Sequence, residues 1–138
     1  MAEREDAVQT ALRALRFRDR TSAELAARLE RRGVGEAERE EALELLERIG
    51  YVDDARFARS RAEQLAARAA GNELIRHDLE QRGVPADQVE VALADLDPER
   101  DRAAAIVAAR GHSARTARYL ASRGFGEEAV EWVIARDG

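Results

Sequence analysis

Three glycines, Gly33, Gly83 and Gly124, are each preceded by an arginine and followed by an apolar residue. Aligned on them, the segments ELAARLERRGVGEAEREEAL (24–43), LIRHDLEQRGVPADQVEVAL (74–93) and RTARYLASRGFGEEAVEWVI (115–134) are copies of one unit. Each has a leucine four positions before the glycine (Leu29, Leu79, Leu120) and an aliphatic residue ten positions after it (Leu43, Leu93, Ile134). Self-similar segments recurring at intervals of 50 and 41 residues are the mark of a repeat architecture, and they restrict the fold more than any single motif does.

The unit reads as helix, glycine stop, helix. Thr21 and Glu24 have the spacing of a capping box at a helix start. Gly33 supplies the left-handed residue that ends the helix, and Val34 can fold back over the last turn. Arg32, Arg82 and Arg123 fall where the helix dipole favours a cation. Ala42, Leu43, Leu46 and Ile49 then recur at helical spacing. A further apolar stripe precedes each pair: Val8, Ala11, Leu12 and Leu15; Phe57, Ala58, Ala62, Leu65 and Ala69; Ala103, Ile106 and Val107 after a start signal at Asp97–Pro98. No segment alternates like a half-buried strand. The expected fold is all-α, with three tandem three-helix repeats (1–50, 51–96 and 97–138) forming an elongated array of about nine short helices.

Composition supports thin, interdependent cores. Hydrophobic residues make up 45% of the 138, but only 4% are aromatic, and much of the rest is alanine, which favours helix but buries little area. Repeats so lightly built rely on their neighbours for burial, which favours an extended molecule. The chain has no cysteine, so disulfides and thiolate metal sites are excluded. No apolar run approaches the length of a membrane span, and the first residues lack the apolar core of a signal peptide. A soluble cytoplasmic protein is expected.

The net charge of −5 argues against a general nucleic-acid coat. Its distribution is uneven. Residues 13–32 hold seven arginines against Asp19, Glu24 and Glu30, whereas 36–47 hold six glutamates against Arg39. Residues 110–123 carry Arg110, Arg115, Arg118 and Arg123 with no acid. A DNA-binding helix-turn-helix would bring its second helix to the phosphates, and here that helix is the acidic 36–47 segment. If DNA is approached, the helices before the glycines and the stretch RALRFRDR (13–20) suit it better. Tyr119 beside Arg118 could stack on a base or a partner. Trp132, aligned with Val91, reads as core.

Support for catalysis is slight. His77 and His112 lie in different repeats, outside any metal-ligand spacing, and no phosphate loop, dinucleotide fingerprint or nucleophile elbow occurs. The stretch GYVDDARFA (50–58) places two carboxylates together, as a cation site or an acid–base pair would. Its residues also fit a joint between repeats. Gly50 would end one helix, Asp53 cap the next, and Asp54 complement its dipole. Val52 and Phe57 would form a hydrophobic staple with Tyr51 packed between them. No further ligand or base stands nearby, so neither a metal nor a cofactor is expected.

Several ordered pieces of the sequence together resemble the RecX family of bacterial recombination regulators. They are Thr21, Glu24, Leu25, Leu29 and Gly33; Gly50, Asp53, Asp54, Phe57 and Ala58; and Gly71, Ile75, Asp78, Leu79 and Gly83. The resemblance spans essentially the whole chain. It implies a non-enzymatic protein of tandem three-helix repeats that lies in the groove of the RecA–DNA filament. There it restrains ATPase, strand exchange and co-protease activity in recombination, repair and the SOS response. On that basis Arg28, Arg32, Arg76, Arg82, Arg115, Arg118 and Arg123 are expected to form a distributed contact surface for filament or DNA. The chain itself is expected to be monomeric, with weak affinity for DNA alone. A stand-alone helix-turn-helix DNA-binding or transcriptional regulator and a generic helical scaffold remain the alternatives.

Overall fold

The structure is a computed structural model that describes residues 2–135. All regular structure among them is helical: α1 (Ala2–Phe17), α2 (Ser22–Arg31), α3 (Glu36–Arg48), α4 (Asp54–Ala67), α5 (Asn72–Gln81), α6 (Ala86–Ala94), α7 (Glu99–Arg110), α8 (Ala114–Ser122) and α9 (Glu127–Ala135). The all-α repeat fold expected from the sequence is the one observed.

The helix ends follow from the residues that make them. Thr21 caps α2, accepting from Glu24 N–H while Glu24 Oε1 accepts from Thr21 N–H, both at 3.0 Å. At the other end Gly33 takes φ +83°. Its N–H donates to Glu30 O and that of Val34 to Leu29 O, each at 3.0 Å. This paired closure satisfies carbonyls that the helix leaves open. Gly83–Val84 and Gly124–Phe125 repeat it on Leu79 and Leu120. Gly35 and Pro85 stand at the starts of α3 and α6 without a side-chain cap.

Close packing between helices is concentrated within three consecutive trios, α1–α3, α4–α6 and α7–α9. Each trio encloses its own apolar cluster. Leu25, Leu29 and Leu46 are fully buried in the first, Ile75 and Leu79 in the second, and Leu120 in the third. Alanines at the helix crossings (Ala7, Ala11 and Ala14; Ala58 and Ala62; Ala103) have no exposed surface. Small residues there let the backbones approach, so a few leucines close the core. Burial of each such leucine contributes roughly 1.5–3 kcal/mol.

The trios join end to end through their middle helices. The C-terminal end of α8 meets the N-terminus of α5: Arg123 O accepts from Gly71 N–H at 2.8 Å and Gly124 O from Glu73 N–H at 3.0 Å. The C-terminal end of α5 meets the N-terminus of α2 in turn, where the Thr21 hydroxyl donates to Arg82 O at 2.6 Å. Three short helices thus form a head-to-tail column in which each carbonyl end meets the next helix start. At the usual helical rise the helices of the column add up to about 40 Å.

The joint at 50–58 differs in part from its expected packing. Gly50 has φ +85°, and Asp53 caps α4 by accepting from Arg56 N–H at 3.0 Å. Val52, however, is buried in the first cluster, whereas Phe57 packs against the second. The two side chains therefore serve different cores. Tyr51 does not pack between them and is 58% exposed. Its N–H closes the end of α3 on Leu46 O, a closure in which Tyr51 participates through its backbone. Ile49, expected on the apolar face of α3, lies just past the helix as its C-cap residue and is 54% exposed.

Candidate interaction surface

The arginines singled out from the sequence divide into two sets. Arg82 and Arg123, the residues before the repeat glycines, tie one trio to the next. Arg82 Nη1 lies 3.3 Å from Glu24 of the first trio, and its Nε donates to Asp78 at 3.1 Å. Arg123 donates to Arg68 O at 2.8 Å and Ala69 O at 3.3 Å, the free carbonyls at the end of α4. Arg76 is held on its own trio by Glu73 and, through both oxygens, by Glu90 at 2.9 and 3.0 Å. The bidentate contact raises the pKa of Arg76 and lowers that of Glu90.

The second set is unengaged. Arg32, Arg115 and Arg118 are exposed and have no side-chain partner among the described residues. Arg28 is half-buried with its Nε enclosed and without an acceptor. Arg110, not singled out as a contact residue, adds to the cluster of the third trio. Its guanidinium lies 3.5 Å from the Tyr119 ring centroid. Tyr119 therefore stacks with Arg110 across the α7–α8 pair rather than with its chain neighbour Arg118. The helical turn points residues 118 and 119 in different directions. At the other side of this trio, Arg100 lies 4.8 Å from the ring centroid of Trp132, which packs against the third cluster.

A second basic area lies where the first two trios meet. Arg18, Arg61 and Arg82 line a hollow of about 330 Å³ with Phe57 and Asp19. Arg61 and Arg82 both bind Asp78 there, Arg61 at 2.9 and 3.0 Å. The hydrogen bond from Arg61 is the main reason that the Asp78 carboxyl titrates below its ordinary range. Nearby Phe17 is 83% exposed within the arginine-rich end of α1.

Acidic residues at the trio boundaries also act as ties. Asp54, the first residue of α4, accepts from Ser22 N–H at 2.8 Å and so caps α2 of the preceding trio. Burial nonetheless raises the Asp54 pKa, outweighing this hydrogen bond. Glu99, the first residue of α7, accepts from Asn72 N–H at 2.6 Å and caps α5 in the same manner. Its other oxygen accepts from Gly126 N–H at 3.2 Å. Arg102 completes the second junction, donating to Ala70 O at 2.9 Å and to Asn72 Oδ1. The carboxylates of Asp53 and Asp54 are thus bonded to two different helix N-termini. Among the described residues, no group of three or more side chains could hold a metal ion. No described helix is long and apolar enough to cross a membrane.

The three-helix units of this array match known proteins. The family model for the first three-helix domain of RecX matches residues 7–46, and that for the second three-helix domain matches 53–93. The chain belongs to the RecX family. It is 34% identical to the regulatory protein RecX of Deinococcus radiodurans over 98% of this chain and 69% of that one. Against the regulatory protein RecX of Thermus thermophilus it is 38% identical, covering 96% and 94% of the two chains. The crystal structure of RecX from Lactobacillus salivarius superposes with a TM-score of 0.84 at 17% identity, over 96% of this chain and 95% of that one. A second RecX crystal structure superposes with a TM-score of 0.81 at 20% identity, over 97% and 74%. At these identities the structures establish the shared fold.

Proposed function

We propose that the chain is a non-enzymatic regulator of recombination that binds the RecA–DNA filament and restrains its ATPase, strand-exchange and co-protease activities. The observation that carries this reading is the extended three-trio array, whose third trio displays Arg110, Arg115 and Arg118 in a segment free of acids. An array joined by end-to-end contacts can follow a periodic partner over several subunits. The guanidinium groups of Arg115 and Arg118, unengaged among the described residues, can bind carboxylates or phosphates along it. The relatives' description as regulatory proteins supports a regulatory role, and the RecA–DNA filament is the partner that the family resemblance implies.

Direct helix-turn-helix docking on DNA is less well supported. Helix α3 exposes Glu36, Glu40, Glu41, Glu44 and Glu47, so bringing it to phosphates is electrostatically unfavourable. The test is RecA ATPase on single-stranded DNA with this protein titrated in, alongside filament co-sedimentation. Falling ATPase and tighter binding to preassembled filament than to bare DNA are expected. Unchanged ATPase and filament length at saturation would remove the proposal. Charge reversal at Arg115 and Arg118 should weaken filament binding without changing the unfolding midpoint. Reversal at Arg82 should lower that midpoint, because it breaks an internal tie.

A further inference from the structure

The column contains two junctions of the same kind, which differ in their donors and in the position the glycine approaches, and the described residues leave one half of such a junction unpaired at each end. In both junctions the arginine and glycine ending one middle helix meet the first turn of the next. The glycine is required by proximity. A Cβ on Gly83 would lie 2.4 Å from Ala23 Cβ, and one on Gly124 would lie 2.6 Å from Leu74 Cβ. The carbonyl of the arginine takes a hydrogen from the incoming helix start, either the Thr21 hydroxyl or Gly71 N–H.

The end of α2 presents the same surface uncovered. Arg32 is exposed, Gly33 has the same left-handed backbone, and a Cβ on it would meet nothing within 4 Å. The start of α8 presents the complementary half. Ser113, Ala114 and Arg115 are exposed, and Ser113 caps α8 as Thr21 caps α2. Arg115 takes the place in the first turn that Glu73 occupies in α5, so a long side chain there is compatible with the junction. The hollow beside Gly33 is lined by Asp6 and Glu38 as well as Arg32, so its two carboxylates outnumber its one cation and leave a net charge opposite to that of Arg115. The dipoles also agree, since the carbonyl end of α2 would meet the amide end of α8.

We infer that Arg32 and Gly33 of one copy dock the first turn of α8 of a second copy, so that copies join head to tail and continue the column. The contact is heterologous and leaves the same two ends free, so it propagates rather than closing into a symmetric pair. Each junction involves few bonds, so association is weak in dilute solution. It strengthens where copies are held in line at high local concentration. The inference does not depend on the identity of the regulated partner.

The test uses the 138-residue chain alone. Sedimentation velocity from micromolar to millimolar concentration should show open-ended association, without a plateau at the dimer. Gly33→Asn should weaken it by about tenfold or more, the equivalent of one steric clash. Asparagine tolerates the left-handed backbone, and its Cβ has space in the monomer, so helix content should be kept. The absence of native cysteine allows a second measurement. Chains bearing Arg32→Cys or Ser113→Cys, mixed in equal amounts and oxidised, should give the unlike disulfide well above the share of about one half that random pairing produces. A protein that stays monomeric throughout, equal association of Gly33→Asn, a closed dimer or a random distribution of disulfides would each overturn the inference. The monomeric result would leave the end of α2 to another protein's helix.

Discussion

Asp54 and Asp78 are both acids held by hydrogen bonds, yet their contributions to stability depend on pH in opposite ways. The pKa of Asp54 is raised, chiefly by burial. Its contribution is therefore full below the unfolded-state pKa and lost as pH rises through the folded value. Asp54→Asn keeps an acceptor for Ser22 N–H and removes the desolvated charge. It should be at least as stable as the parent at neutral pH, with the difference shrinking on acidification. Asp54→Ala should cost about 1 kcal/mol through loss of the cap. Asp78 has a lowered pKa, chiefly from Arg61. Its contribution is present above the unfolded-state pKa and lost as pH falls through the folded one. Asp78→Asn should thus be destabilising at neutral pH and converge on the parent in acid. Urea midpoints across pH distinguish the two signs. A parallel pH response of both Asn variants would contradict the assignment.

Helix ends decide how the trios meet, and one of them carries a residue poorly suited to its backbone. The chain leaves α4 through Ala69 at φ +65°, where Ala70 N–H closes on Leu65 O at 3.0 Å as the residues after the glycines do elsewhere. An alanine there bears the steric cost that glycine avoids. Ala69→Gly should raise stability by about 0.5–1 kcal/mol, read from the urea midpoint, because relief of strain exceeds the added unfolded-state entropy. The opposite effect is expected two residues on. A Cβ at Gly71 would stand 2.4 Å from Phe125 N and 2.5 Å from Gly124 C, and neither is the end of a flexible side chain. Gly71→Ala should cost about 1–3 kcal/mol, with faster amide exchange concentrated at the start of α5 and the end of α8. The glycine stops and the Thr21–Glu24 box were legible in the sequence, since each uses residues within five positions. The partners of Arg82 and Arg123 were not. An arginine at a helix end suits the dipole whether or not it reaches another trio, and Glu24 lies 58 residues from Arg82. The same separation hid the role of Asp54, whose partner Ser22 belongs to the preceding trio.

At the scale of the molecule, the sequence period conveyed the number of units, while the angle between them depends on a few long-range bonds. Between the first two trios these are Thr21 to Arg82 O, Asp54 to Ser22 N–H, and Arg82 with Glu24. Each trio also has a buried apolar cluster of its own. Loosening a junction should therefore alter shape without altering helix content, while removing its share of the interface stability of the array. Arg82→Ala removes one tie without touching a buried apolar side chain. Helix content should be unchanged and the unfolding free energy lower by about 1–2 kcal/mol, the scale of hydrogen bonds to charged groups discounted for partial exposure. Small-angle scattering should register a broader distribution of maximum dimensions. If the proposed filament reading holds, inhibition of RecA ATPase should weaken more than this stability loss predicts, because the spacing between contact surfaces is no longer fixed. Equal inhibition by the parent and by a variant shown to be looser would mean that one trio alone carries the interaction, and charge reversal at Arg115 and Arg118 would then locate it.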